Sequence, residues 1–280
     1  MGGKDKKRNQ MMSMEKQYKN RIQKKQYLGE RTLTGFIVPY GTEQIEDWAF
    51  AYCKNLKWIA LPTTLCRIGK EVFQGCESLR TAWFYGEPEQ VENFRPEGFS
   101  AKQQLSGELN AVALCHFKNP QLFVDAYHSG GQSVPLVWDL ECKAYLAMPD
   151  EAGFQPFLAG GEEDYEGGEE SVMQYRHKRR CHKAEIIWKR LLKERTGNIL
   201  FDEEWYRFYL QKLRNIPETL EILAQAGEWQ REMIAISEEA KLLTDENIQR
   251  LLNLIPSGNV ELRAMILQKA AKKTTGLWEL

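Results

Sequence analysis

IEDWAFAYCKNLKWIALP (45–62) and IGKEVFQGCESLRTAWFY (68–85) are two copies of one pattern. Leu33, Leu56 and Leu79 are 23 residues apart, and so are Phe36, Ile59 and Ala82. Val38, Leu61 and Phe84 keep the same offset, as do Ile45, Ile68 and Val91. Phe50 matches Phe73, Cys53 matches Cys76 and Pro39 matches Pro62. So many apolar coincidences at one offset mark an internal repeat. Ile59 and Leu61 are two apart, which places both on one face of a strand. Pro62 then stops the ladder. Ile68-Gly69 begins a second short segment, and Phe73 and Cys76 plug the interior. One such coil cannot bury its apolar face alone, whereas stacked coils align each column into a continuous core.

The pattern resembles the leucine-rich repeat of the bacterial surface-antigen (BspA) type, roughly I-G-x-x-A-F-x-x-C-x-x-L-x-x-I-x-L-P. The first copy departs from it at Glu46, the second at Val72, Ala82 and Tyr85. A third copy starts at Val91 and fails, with Pro96 where Phe50 and Phe73 stood. Repeat arrays this short need capping. The chain before the array is expected to cover its front and residues 92–130 its back.

Strand alternation also defines an outer row. If Ile59 and Leu61 point inward, Trp58 and Ala60 point outward, and the 23-residue offset adds Ile37, Trp83 and Tyr85. Exposed, the row Ile37, Trp58, Trp83 and Tyr85 is a candidate protein-binding patch, because Trp and Tyr dominate binding hot spots. The alternative is that another part of the chain covers it.

Beyond about residue 108 the apolar period becomes helical. Helices are expected over 110–128 and 134–147, with an acidic Gly- and Pro-rich loop over 149–172. Ala184, Ile187, Trp188, Leu191 and Leu192 give one apolar face to a helix over 174–195. Asp202 and Thr244 sit where N-caps belong, Pro217 opens another helix, and Ser257-Gly258-Asn259 turns the chain. Residues 202–273 therefore read as stacked helical hairpins, in the style of ankyrin or HEAT arrays but without an ankyrin signature. The whole combination resembles leucine-rich repeat proteins of anaerobic gut Firmicutes, a resemblance that brings no site residue with it.

Charge is unevenly spread over the 280 residues, although the formal net charge is only -1. A balance so near zero argues against binding nucleic acid or membrane with the whole surface. Residues 1–31 form a basic leader, from Lys4 to Arg31. Met11, Met14, Tyr18 and Ile22 give it a thin helical stripe. It reads either as a polybasic arm or as a helix docked on its own protein. GEEDYEGGEE (161–170) is followed by RHKRRCHK (176–183). The basic patch Arg176, Lys178, Arg179, Arg180 and Lys183 is expected to pair with the acids 162–170.

Catalytic motifs do not emerge: there is no G-x-S-x-G, P-loop, dinucleotide fingerprint or H-E-x-x-H. His177, Cys181 and His182 offer metal-ligand atoms on one helical turn, but the five neighbouring positive charges oppose a cation. The acidic loop lacks the D-x-D-x-D-G spacing of a calcium site. No cofactor or metal is therefore expected. The six cysteines lack any C-x-x-C and read as free thiols. No apolar run reaches 18 residues, so no transmembrane helix is expected. The start of the chain lacks the apolar core of a secretory signal, which points to the cytoplasm, or to the cell surface if a signal has been removed.

The expected architecture is α+β. A short leucine-rich repeat β-solenoid (32–100) follows the leader and packs against an α-helical repeat domain (101–280). The expected function is non-enzymatic protein binding through repeat surfaces. The alternative is nucleic-acid or anionic-surface binding through the leader and the basic helix 176–183.

Overall fold

The computed structural model describes residues 20–92, 94, 96–129, 133–154, 171–197 and 202–275. The chain forms two compact units, residues 1–147 and 148–280.

The first unit is built on the 23-residue offset. Its strands are β1 (Arg21–Ile22), β2 (Gly35–Ile37), β3 (Gln44–Ile45), β4 (Trp58–Pro62), β5 (Arg67–Ile68) and β6 (Thr81–Tyr85). They make two parallel three-stranded sheets, β1-β3-β5 and β2-β4-β6. Register follows the sequence columns: Ile22 pairs with Ile45 and Ile45 with Ile68, while Phe36 pairs with Ile59 and Ile59 with Ala82. Ile45, Leu56, Ile59 and Leu61 are fully buried between the sheets. Tyr27, Phe50 and Phe73 stack in a row, with ring centroids 5.0 and 5.6 Å apart. The thiols of Cys53 and Cys76 donate to the carbonyls of Tyr27 and Phe50 in equivalent places.

The boundary expected at residue 31 is corrected by this geometry. Residues 20–31 are the first coil of the array, not the end of a leader, because β1 pairs with β3 and Tyr27 takes the place of Phe50 one offset earlier. The basic residues from Lys4 to Lys19, and the stripe Met11, Met14 and Tyr18, lie outside the described residues.

Backbone conformation repeats with the side chains. Lys25, Trp48 and Glu71 have φ of 59°, 55° and 52°, and Gly29, Tyr52 and Gly75 have φ of 70°, 60° and 69°. Each coil therefore turns at two left-handed residues. Glycine adopts that conformation freely, whereas Tyr52 does so at a cost of roughly 1–2 kcal/mol.

Helix α1 (Ala101–His116) lies on β6. Ser100 and Gln103 form its capping box. Asn110, buried on its inner side, donates from Nδ2 to the Ala82 carbonyl at 3.0 Å and accepts from the Tyr127 hydroxyl at 3.3 Å. The helix expected over 110–128 is broken. Pro120 opens α2 (Pro120–His128) after a separate end at Phe117, since proline lacks the N–H that a continuous helix needs. Then α3 (Val134–Ala147) completes the unit, and Trp138 donates from Nε1 to the Leu109 carbonyl. The unit thus ends at 147 rather than 100, because these three helices carry the cap of the array.

The second unit contains α4 (Val172–Thr196), α5 (Glu203–Asn215), α6 (Thr219–Ala224), α7 (Gln230–Glu239), α8 (Asp245–Leu254) and α9 (Val260–Thr275). Ser171, Asp202 and Thr244 cap α4, α5 and α8 through their side-chain oxygens. The α4 face Ala184, Ile187, Trp188, Leu191 and Leu192 is buried. Helices α5, α6 and α7 pack on α4, and α8 packs on α6 and α9. Residues 155–170 of the acidic loop lie outside the described residues. Among the described residues, no helix is long and apolar enough to cross a membrane.

Candidate functional site

The face of β2-β4-β6 away from the inter-sheet core carries Ile37, Trp58, Trp83 and Tyr85, as alternation requires, with Ala60 among them. Their exposure differs from the expected open row. Trp83 retains 9% of its surface and Tyr85 4%. Phe94 and Phe99, from the chain where the third copy fails, roof the sheet. Trp83 meets Phe94 at 5.6 Å and Phe99 at 5.2 Å, both edge-on. The Trp83 ring also lies on Gly107 of α1, where a Cβ would come within 2.7 Å. The Tyr85 hydroxyl donates to the Val38 carbonyl, and burial with Tyr40 nearby pushes its pKa up to about 12. Trp83 and Tyr85 are therefore core residues of the capped sheet, not an exposed patch.

Ile37 and Trp58 remain partly open at the edge of this cluster. Trp58 packs on Phe94 at 5.5 Å, and its ring covers Gly35. A Cβ at Gly35 would fall 2.1 Å from the Trp58 ring, so only glycine leaves the ring its seat. Beside Trp58 runs a groove of about 480 Å³, lined by Lys57, Arg80, Thr81, Glu97 and Gln104 among others. The replacement Gly35→Ala is expected to force Trp58 out and to cost about 1–3 kcal/mol, as overpacking generally does. Thermal unfolding checks this, and an unchanged midpoint would show that the ring does not need the glycine.

A second cavity of about 790 Å³ lies between the last coil and α1–α3, lined by Ile68, Phe73, Leu114, Cys115 and Gln121 among others. Desolvation pushes the Cys115 thiol up to about 12 despite Arg80 nearby. At neutral pH it is a protonated, weak nucleophile.

In the second unit the basic residues of α4 are engaged within the unit. Arg176 pairs with Glu151 at 2.8 Å, and Arg180 pairs with Glu218 at 2.7 Å and with Asp150 at 3.8 Å. Lys183 is buried, with Nζ 2.7 Å from Asp150 and bonded to the Met148 carbonyl. Arg179 donates to the Met148 sulfur, and Lys178 is exposed on the same helix. The described partners are therefore Asp150, Glu151 and Glu218, and the acids 162–170 lie outside the described residues. A freely presented patch including Lys183 is ruled out by its burial.

One turn of α4 brings His177 and Cys181 together, and α6 adds Glu221. Cys181 Sγ lies 3.6 Å from His177 Nε2 and 3.8 Å from Glu221 Oε2, and those nitrogen and oxygen atoms are 3.3 Å apart. His177 Nδ1 lies 3.3 Å from Glu218 Oε1. Burial, with the Glu221 and Glu218 carboxylates beside it, pushes the Cys181 thiol up to about 11. His182, suggested by the sequence, is not among the clustered residues, and Glu221 takes its place. The carboxylates come from a helix some 40 residues away, so sequence spacing held no signal for them.

Residues 20–110 match the family model described as BspA type leucine-rich repeat region (6 copies). No curated protein and no solved structure matches the chain.

Proposed function

We propose, from the premise that residues 20–110 are a BspA-type leucine-rich repeat region, that the first unit is a short solenoid that binds a protein partner without catalysing a reaction. The observation that carries this reading is Trp58, half-open at the edge of an aromatic cluster and facing a groove. An aromatic anchor in a water-sheltered setting, ringed by charged and polar groups, has the make-up of a binding hot spot. Lys57, Arg80, Glu97, Gln104 and Glu108 all line the groove. That mixed rim suits an extended protein segment carrying both charge signs. The parallel ladder holds the strand that bears Trp58 rigid, which lowers the entropic cost of binding.

Two further features favour binding over chemistry. No histidine or cysteine lines the Trp58 groove among the described residues. The thiols of Cys115 and Cys181 are both pushed up, away from nucleophilic activation. The charge pairing on α4 removes the basic helix's support from the nucleic-acid alternative, whose other support, the basic residues Lys4 to Lys19, lies outside the described residues.

Placing a photo-reactive phenylalanine analogue at Lys57, exposed on the rim of the groove beside Trp58, tests the reading with the tryptophan left in place. Irradiation in a lysate of the native cells is expected to give a covalent adduct with one protein species. The same analogue at Lys102, exposed on α1, is the control. Equal adducts from both positions, or none from position 57, would refute the Trp58 groove as the binding face.

A further inference from the structure

The geometry points to a zinc site in the second unit, with His177 Nε2, Cys181 Sγ and Glu221 Oε2 as its three protein ligands. His177 and Cys181 are four residues apart on α4, so their side chains stack on one face of the helix. Glu221 projects from α6, which packs on α4.

The atomic separations match a coordination tetrahedron. With zinc bonds of about 2.0–2.1 Å to nitrogen and oxygen and about 2.3 Å to sulfur, tetrahedral edges come to about 3.3–3.6 Å. The observed edges are 3.3 Å for nitrogen to oxygen, 3.6 Å for sulfur to nitrogen and 3.8 Å for sulfur to oxygen. A closure of a few tenths of an ångström along the last edge brings all three within bonding reach of one point. Imidazole, thiolate and carboxylate together are a donor set that zinc accepts.

Glu218 supplies the second, independent observation. Its carboxylate, 5% exposed, sits 3.3 Å from His177 Nδ1. A carboxylate there takes the Nδ1 proton as a hydrogen bond and leaves the Nε2 lone pair facing Cys181 and Glu221. This is the carboxylate–histidine arrangement that orients metal-binding imidazoles. Glu218 is itself fixed by the Arg180 Nε at 2.7 Å, and its second oxygen is buried with no hydrogen-bond partner among the described residues. Two of the positive charges that seemed to oppose a cation are engaged elsewhere: Arg176 with Glu151, and Lys183 with Asp150. Beside the three ligand atoms, the Glu218 and Glu221 carboxylates both lie 3.3 Å from His177 nitrogens, and the Arg180 guanidinium is paired with Glu218.

His177 has 47% of its side chain exposed and Glu221 35%, so water reaches the cluster and can supply a fourth ligand. Three protein ligands and an open position characterise zinc sites that hold water or an external ligand. On binding, the Cys181 thiol proton is released to solvent as the sulfur–zinc bond forms.

The test uses the full chain, stripped with chelator and titrated with Co2+ and then Zn2+. One equivalent of Co2+ is expected to give visible bands of tetrahedral intensity and a near-ultraviolet thiolate-to-cobalt band, both erased by one equivalent of Zn2+. Cys181→Ser, a near-isosteric change, is expected to abolish the thiolate band. Glu218→Gln is expected to weaken Zn2+ binding about 10–100-fold, as loss of a ligand-orienting carboxylate does. Circular dichroism checks that each variant remains folded. If Glu218→Gln unfolds, Glu221→Gln, at a third-exposed carboxylate, takes its place and is expected to lose at least as much affinity. No thiolate band at one equivalent would overturn the site, and so would a band that persists in Cys181→Ser.

Discussion

Phe50→Ala is expected to destabilise the repeat unit by about 3–5 kcal/mol, the range for truncating a buried phenylalanine. Phe50 is fully buried and stands in the middle of the aromatic row. Tyr27 stacks on one side at 5.0 Å, Phe73 on the other at 5.6 Å, and Phe36 meets it edge-on at 5.1 Å. Its own N–H bonds the Val72 carbonyl, so the backbone around it is pinned to the next coil and cannot collapse into the vacated space. Truncation therefore leaves a cavity that touches all three coils. Urea unfolding followed by circular dichroism measures the effect, with Phe50→Leu as a milder companion. A loss below about 1 kcal/mol would contradict the stacked-coil core, since it would fall in the range of surface changes.

Asp150→Ala is expected to cost about 3 kcal/mol, the lower end of the range for breaking a buried ion pair, because Asp150 is 28% exposed. The argument rests on what remains afterwards. Lys183 has 7% of its side chain exposed, and without Asp150 its ammonium keeps, among the described residues, only the Met148 carbonyl. The charge would then be buried with half its partners gone. Lys183→Met removes that charge and keeps the volume, so it is expected to be nearly neutral. The asymmetry between the two variants is the signature, and urea unfolding reads both. Equal costs would show that the ammonium reaches water on its own.

Much of this was legible in the sequence because a repeat writes its register directly. The columns from Leu33 to Leu79 and from Ile45 to Ile68 are spaced by the same 23 residues that separate paired strands. The first coil escaped notice for a specific reason. Lys24, Lys25 and Arg31 gave residues 20–31 the charge of a tail, although stepping back one offset from Ile45 and Phe50 lands on Ile22 and Tyr27. Strand alternation placed Ile37, Trp58, Trp83 and Tyr85 on one face, but alternation says nothing of what lies above it. Phe94, Phe99 and Gly107 cover that face from outside the repeat pattern. The cap positions of Asp202 and Thr244 were readable because capping is local chemistry. The His177, Cys181 and Glu221 cluster was not, because its carboxylate is brought in by helix packing.

The most direct measurement is the affinity of the partner cross-linked at position 57 for the wild-type chain and for Trp58→Ala, by calorimetric titration at matched folding. A hot-spot tryptophan contributes at least about 2 kcal/mol, so a loss of about 30-fold or more is expected. Equal affinity for both chains would contradict the claim that the repeat unit binds through the Trp58 groove.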